Sequence, residues 1–111
     1  MQSWDLNEIE TPAGSRSPVV LHSTDELRAV LIGLDPGQSL GDHQVHERAW
    51  VMVLDGTVRM TSGDETVQGG PGFLAWFEPG ERRSLSTDGG ARILLFLAPW
   101  PGAGHYREGE R

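Results

Sequence analysis

Residues 50–61 read WVMVLDGTVRMT, and this stretch decides the fold class. Its first five residues are apolar at every position, which is typical of a strand covered on both faces. The dipeptide Asp55-Gly56 follows, and it is a common signal for a hairpin turn. Val58 and Met60 then alternate with polar residues, as in a strand with one buried face. We therefore expect two strands joined by a tight turn.

The same pattern continues outward in both directions. Further strands are predicted at residues 19–21, 28–34, 65–68, 73–77, 83–86 and 92–98. The 15 Gly and 7 Pro residues are spread between these runs, which is the turn chemistry expected of many short strands. Residues 24–29 are long enough for one helical turn at most. The sequence predicts an all-β sandwich or barrel.

The 111 residues are enough for one domain with one core. We expect the barrel to cover residues 18–98. Residues 1–17 are predicted to be a polar arm that crosses to another subunit or stays unattached. Residues 99–111 are predicted to be an extended tail rich in Pro and Gly.

Composition limits the classes of function. The chain has no cysteine, so His, Asp and Glu are its only strong metal ligands. Its net charge of −7 argues against nucleic acid as a partner. No signal peptide is visible, and the longest apolar run is far below the roughly 20 residues of a membrane helix. We expect a cytoplasmic protein without membrane contact.

Glycines recur at fixed distances around the opening stretch. Gly37 is followed after five residues by His43, and Gly56 closes this first segment; Gly72 and Gly80 lie in a second segment. This frame resembles the two motifs of the cupin superfamily, commonly written G-x5-H-x-H-x3-E-x6-G and G-x5-P-x-G-x2-H-x3-N. The resemblance implies a single-domain cupin barrel, also called a double-stranded β-helix or jelly roll.

The sequence resembles a group of small, single-domain bacterial cupins even more closely. The shared features are Asp35-Pro36-Gly37, Gly70-Pro71-Gly72 and the closing segment at residues 98–105. Membership of this group implies a fold and does not imply an activity.

Most positions that hold metal ligands in cupins are occupied by other residues here. Cupin sites resemble three His and one Glu, and in this register only His43 is retained. Val45 stands at the second His position, Ala49 at the Glu position and Arg83 at the His of the second motif. Arginine keeps its proton at ordinary pH and repels a cation.

A different set of ligands is available beside the lost ones. If the backbone bends near His46, then His43, His46 and Glu47 converge and bind one divalent Zn, Ni, Mn or Fe ion with open positions left for substrate. The competing interpretation is that His43 is a buried, hydrogen-bonded histidine and that His46 and Glu47 lie at the rim. The sequence leaves both open.

Arg83 also has more than one interpretation. A guanidinium that faces the barrel interior is a partner for a carboxylate or phosphate ligand. Its partner is otherwise internal, from Glu47, Glu78 or Glu81, or Arg83 simply faces water. The predicted ligand pocket contains His43, Trp50, Met60, Phe77 and Arg83.

Three functions follow from these patterns. The preferred one is a small cupin that binds a small, acidic or aromatic molecule in its barrel. The alternatives are a metal-dependent isomerase, cyclase or dioxygenase, and an interaction protein with a filled barrel; whether the chain is an enzyme stays open. Because its strands are apolar on both faces, we also expect a homodimer.

Overall fold

The structure, a computed structural model, describes residues 1–11, 18–44 and 47–101, without the side chains of residues 41–44. The described residues form nine strands and contain no helix. The strands are β1 (Val19–Ser23), β2 (Arg28–Leu34), β3 (Ser39–Gln44), β4 (Arg48–Gly56), β5 (Val58–Ser62), β6 (Glu65–Gly69), β7 (Leu74–Phe77), β8 (Arg82–Ser86) and β9 (Ala91–Ala98). The all-β prediction is confirmed.

The strands form two antiparallel sheets. One sheet has the order β1-β2-β9-β4-β7, and the other has the order β3-β8-β5-β6. Alternate residues of both sheets point inward and form one core, because successive side chains of a strand lie on opposite faces. The buried core residues are Val30, Ile32, Leu34, Ala49, Val51, Val53, Val58, Met60, Phe77, Leu85, Ala91, Ile93, Leu95 and Leu97.

The expected hairpin at Asp55-Gly56 is wrong. The strands on either side of it, β4 and β5, belong to different sheets, so the turn carries the chain from one sheet to the other. Gly56 has φ +78°, and a Cβ at this position would overlap the carbonyl oxygen of Gly90. The local pattern is the same in a hairpin and in a crossing, so only the pairing partners distinguish them.

Strand β3 was not predicted. Its residues are mostly polar and small, which gives little strand signal. It is held by β8, with Ser39 opposite Ser86 and His43 opposite Arg83. The register shifts between Leu40 and His43, which indicates a bulge in this strand.

The segment that was long enough for one helical turn forms a bend instead. The Thr24 hydroxyl oxygen accepts hydrogen bonds from the backbone N–H groups of Glu26 (3.2 Å) and Leu27 (3.3 Å). A threonine side chain that bonds to the backbone in this way favours a turn over a helix.

The described residues contain no helix with the length and apolarity that crossing a bilayer requires.

The first eleven residues form an arm that contacts its own barrel. Arg92 donates hydrogen bonds to the carbonyl oxygens of Leu6 (2.7 Å) and Ile9. Thr11 lies against Gly33, where a Cβ would overlap it. Residues 1–11 are therefore attached to their own barrel, the crossing of the arm to another subunit stays a prediction, and residues 12–17 lie outside the described part.

At the other end of the chain, only the start of the predicted tail is described. Trp100 is half-buried and packs against the core. The Arg28 guanidinium lies over its ring, 4.5 Å from the centroid. The remaining tail, residues 102–111, is outside the described part.

The outward side of the five-stranded sheet carries large apolar side chains, which we call the outer aromatic face (Trp50, Met52, Leu74, Trp76 and Phe96). Trp50 and Trp76 are paired across strands and stack at 5.5 Å with 6° between their planes. Trp76 is 51% exposed and Leu74 is 50% exposed. Strand β4 is thus covered on one face only within a single chain.

Candidate functional site

Arg83 lies inside the barrel. On β8, Arg83 and Leu85 are buried while Arg82 is exposed, as the alternation of a strand requires. Only 5% of Arg83 is accessible to solvent. Its guanidinium carbon is 5.3 Å from the centre of the Phe77 ring, which is the geometry of a cation–π contact.

Two nitrogen atoms of the Arg83 guanidinium are free to donate further hydrogen bonds. Within the described part of the chain, Nε and Nη1 have no hydrogen-bond partner. Burial lowers the pKa of Arg83, whereas the negative charges of Glu47 and Glu81 act in the opposite direction. The result is a buried cation held by nearby carboxylates and still able to donate hydrogen bonds.

Glu47 is completely buried and immediately precedes β4. Ala49, two residues further along the chain, is also 0% exposed. The interpretation of Glu47 as a rim residue is therefore wrong. The other two predicted metal ligands cannot be placed beside it: the side chain of His43 and the whole of His46 lie outside the described residues.

Glu81 lies two residues before Arg83 and is firmly held. The Ser62 hydroxyl donates to its carboxylate at 2.5 Å, and the backbone N–H of Glu78 donates to it at 3.0 Å. These two hydrogen bonds lower the pKa of Glu81. The third internal partner considered for Arg83, Glu78, instead pairs with the exposed Arg48 at 3.5 Å.

The remaining predicted pocket residues separate into two groups. Met60 and Phe77 are 2% and 5% exposed and belong to the core. Trp50 is 39% exposed and lies on the outer aromatic face, so its expected place in the interior is wrong. A strand that is apolar at every position does not reveal which of its faces is buried, and this is why Trp50 was misplaced.

A cleft at the opposite end of the barrel was not anticipated. Its volume is about 350 Å³. Arg59 lies in it, 3.4 Å from Asp88 and 3.5 Å from the Ser86 hydroxyl. In the sequence, Asp88-Gly89-Gly90 indicates only a turn. The lining residues are Gly56, Thr57, Arg59, Gln68, Ser86, Thr87, Asp88, Gly89 and Gly90.

The described residues do not fit the metal centre that the cupin resemblance implies. Arg83 brings a buried positive charge to the position of one ligand, and Ala49 has no donor atom. No group of three or more His, Asp or Glu residues converges within residues 1–11, 18–44 and 47–101. A guanidinium beside a metal would repel it.

Comparison with known proteins agrees with the fold. A protein of Klebsiella pneumoniae with a double-stranded β-helix domain superposes with a TM-score of 0.79 at 20% identity, over 94% of each chain. An RmlC-like cupin of Desulfovibrio desulfuricans gives 0.78 at 18% identity, over 89% of this chain and 97% of that one. A cupin superfamily protein of Desulfitobacterium hafniense gives 0.76 at 15% identity, over 84% and 85%.

These likenesses are at low identity and show the fold alone. No curated protein matches the chain. The family model of the cupin domain matches residues 30–98, which is more than half of the sequence. With two antiparallel sheets around one core and the spaced glycines at their turns, the chain belongs to the cupin family as a small cupin domain protein.

Proposed function

We propose that this cupin binds a small anionic organic molecule, acidic or aromatic, at the end of the barrel where Arg83 lies. The observation that carries the proposal is the Arg83 side chain, 5% exposed, with two donor nitrogens that have no partner in the described residues. A buried charge costs several kcal/mol before compensation, and each unmade hydrogen bond costs about 1–3 kcal/mol. An anionic ligand would supply what these donors lack.

The surroundings of Arg83 support an organic anion over a bare ion. Phe77 offers its ring face 5.3 Å from the guanidinium. Met60 and Leu85 are paired across β5 and β8 and point into the same core. Ligand sites commonly combine apolar walls with a few polar groups that fix orientation.

Thermal unfolding with simple acids tests the proposal. Benzoate and hexanoate, with uncharged benzamide as reference, are added at pH 7.5 and low salt. We expect at least one acid to raise Tm by several degrees near saturation, because it stabilises only the folded state. In Arg83→Met the rise should disappear, and in Arg83→Lys it should shrink.

The matched control is Arg59→Met, since Arg59 is an exposed arginine on the outward face of β5. This variant should respond to the acids as the parent protein does. An equal response in Arg83→Met and the parent would contradict the proposal, and so would the absence of any response in the parent.

We propose metal-dependent enzyme chemistry of the isomerase, cyclase or dioxygenase type as the second candidate. The observation that favours it is the complete burial of the Glu47 carboxylate. It requires His43 and His46 to join Glu47 around one Zn, Ni, Mn or Fe ion. Elemental analysis of the purified protein should then find close to one metal per chain, and Glu47→Gln should lose it. Metal-free protein that takes up none of the four ions would contradict this candidate.

A further inference from the structure

We infer that the Arg83 site selects monocarboxylates with an apolar body and rejects dianions. This inference rests on the proposed function and adds the class of ligand. The feature that sets the selection is the number and sign of the fixed charges around the guanidinium.

Arg83 is the one buried cation of the described residues, and it has two acidic neighbours. Glu47 is 0% exposed, and both Glu47 and Glu81 act electrostatically on Arg83. The adjacent Arg82 lies on the exposed face of β8. A first ligand carboxylate can accept hydrogen bonds from Nε and Nη1 of Arg83. A second carboxylate finds no further buried cation among the described residues and adds to the negative charge of Glu47 and Glu81.

Glu81 keeps its charge and position through its own contacts. Ser62 and the backbone of Glu78 donate two hydrogen bonds to it. Because these bonds favour the ionised form, Glu81 remains negative through the neutral range. Glu81 therefore repels a second negative charge of a ligand throughout the neutral pH range.

The interior beyond Arg83 offers little to a second polar group. Apart from Glu47 and Arg83, the only buried polar residue in the described part is Thr87. The Thr87 hydroxyl already donates to the carbonyl of Thr57 at 2.7 Å. A ligand that enters the core therefore meets apolar side chains, and a second carboxylate would lose its hydration without compensation.

Two matched pairs of acids test the inference: benzoate against terephthalate, and hexanoate against adipate. Dissociation constants are measured by calorimetry at pH 7.5, where each diacid carries two charges. We expect each monocarboxylate to bind at least about tenfold more tightly than its diacid, since the second carboxylate is placed beside like charges. In Glu81→Gln this ratio should fall severalfold.

Glu78→Gln is the matched control, because Glu78 precedes the same turn but pairs with the exposed Arg48. It should leave the ratio unchanged. Ser62→Ala, which removes one hydrogen bond from Glu81, should lower the ratio less than Glu81→Gln does.

The outcomes separate this inference from the proposed function. Diacids that bind as tightly as monoacids, with binding still dependent on Arg83, would overturn the inference and keep the proposed function. An unchanged ratio in Glu81→Gln would overturn the role of Glu81. If none of the four acids binds to the parent protein, both are wrong.

Discussion

Arg83 and Glu47 are charged residues in a core that is otherwise built from apolar side chains. Their opposite charges stabilise each other, since Glu47 counteracts the effect of burial on the pKa of Arg83. Removal of either one leaves the other as a buried charge with less compensation. The two substitutions should therefore not be additive.

A double-mutant cycle measures this coupling. We expect Arg83→Met and Glu47→Gln each to lower the free energy of unfolding by about 1–3 kcal/mol. The double variant should lose less than the sum, with a coupling of about 1–2 kcal/mol in urea titrations at pH 7. The control cycle is Arg59→Met with Asp88→Asn, whose side chains are 43% and 87% exposed. That exposed pair should couple by at most about 0.5 kcal/mol. Equal coupling in the two cycles would contradict the assignment.

At the residue scale, the sequence predicted more of the fold than of the site. The spaced glycines aligned Arg83 with an inward cupin position, and the structure buries it there. Burial of Glu47 was only one of the options, because a polar segment with an irregular backbone carries no clear alternation. The position of Glu81 depends on a hydrogen bond from Ser62, which is 19 residues away in the chain. Contacts of this kind are formed by the tertiary structure and leave no local signal.

At the scale of elements, the connections between strands determine the topology. Gly56 carries the chain from β4 to β5 with a left-handed backbone and lies directly against Gly90. Gly72 has a similar φ of +90°, but no atom lies where its Cβ would be. Alanine substitutions at Gly72 and Gly56 therefore separate the free-energy cost of a left-handed backbone conformation from the additional cost of a steric overlap.

We expect Gly72→Ala to lower the free energy of unfolding by about 1 kcal/mol, through its backbone conformation alone. Gly56→Ala should cost at least about 2 kcal/mol, because its Cβ also displaces the Gly90 backbone. Urea unfolding monitored by fluorescence measures both. Similar losses in the two variants would show that the close approach at Gly56 is relieved without cost.

Strand boundaries were predicted well where turn residues mark them, and β2 was predicted at its observed bounds. The missed elements have a common cause. Strand β3 exists because β8 pairs with it, and the partners of β4 and β5 follow from the arrangement of the two sheets. The pairing partner of a strand cannot be inferred from the residues of that strand alone. The hydrophobic period and the turn residues therefore do not predict it.

At the scale of the whole molecule, the outer aromatic face is a feature that one chain leaves uncovered, with Trp50, Leu74 and Trp76 each more than a third exposed. Exposed apolar patches of this kind mark interaction surfaces. We propose that a second copy of the chain covers it, in agreement with the homodimer expected from the sequence. Twofold association is the commonest way to bury such a face.

Light scattering coupled to size-exclusion chromatography tests the dimer. The parent protein should have the mass of two chains, and Trp76→Glu and Leu74→Glu should have the mass of one, since a charge on the face opposes its burial. Val67→Glu, on strand β6 of the other sheet and 37% exposed in the parent protein, is the control and should remain dimeric. A single-chain mass for the parent protein would refute the proposal.

The N-terminal arm fixes where such a partner can approach. Trp4 lies beside His22 of β1, and Thr11 lies against Gly33 of β2, so the arm already occupies that side of the five-stranded sheet. The open area is displaced toward the edge strand β7. In the proposed dimer, we therefore expect the rotation axis to pass near this edge rather than through the middle of the sheet. Residues close to such an axis meet their own equivalents, so we expect Trp76 to lie against Trp76 of the second copy in the proposed dimer.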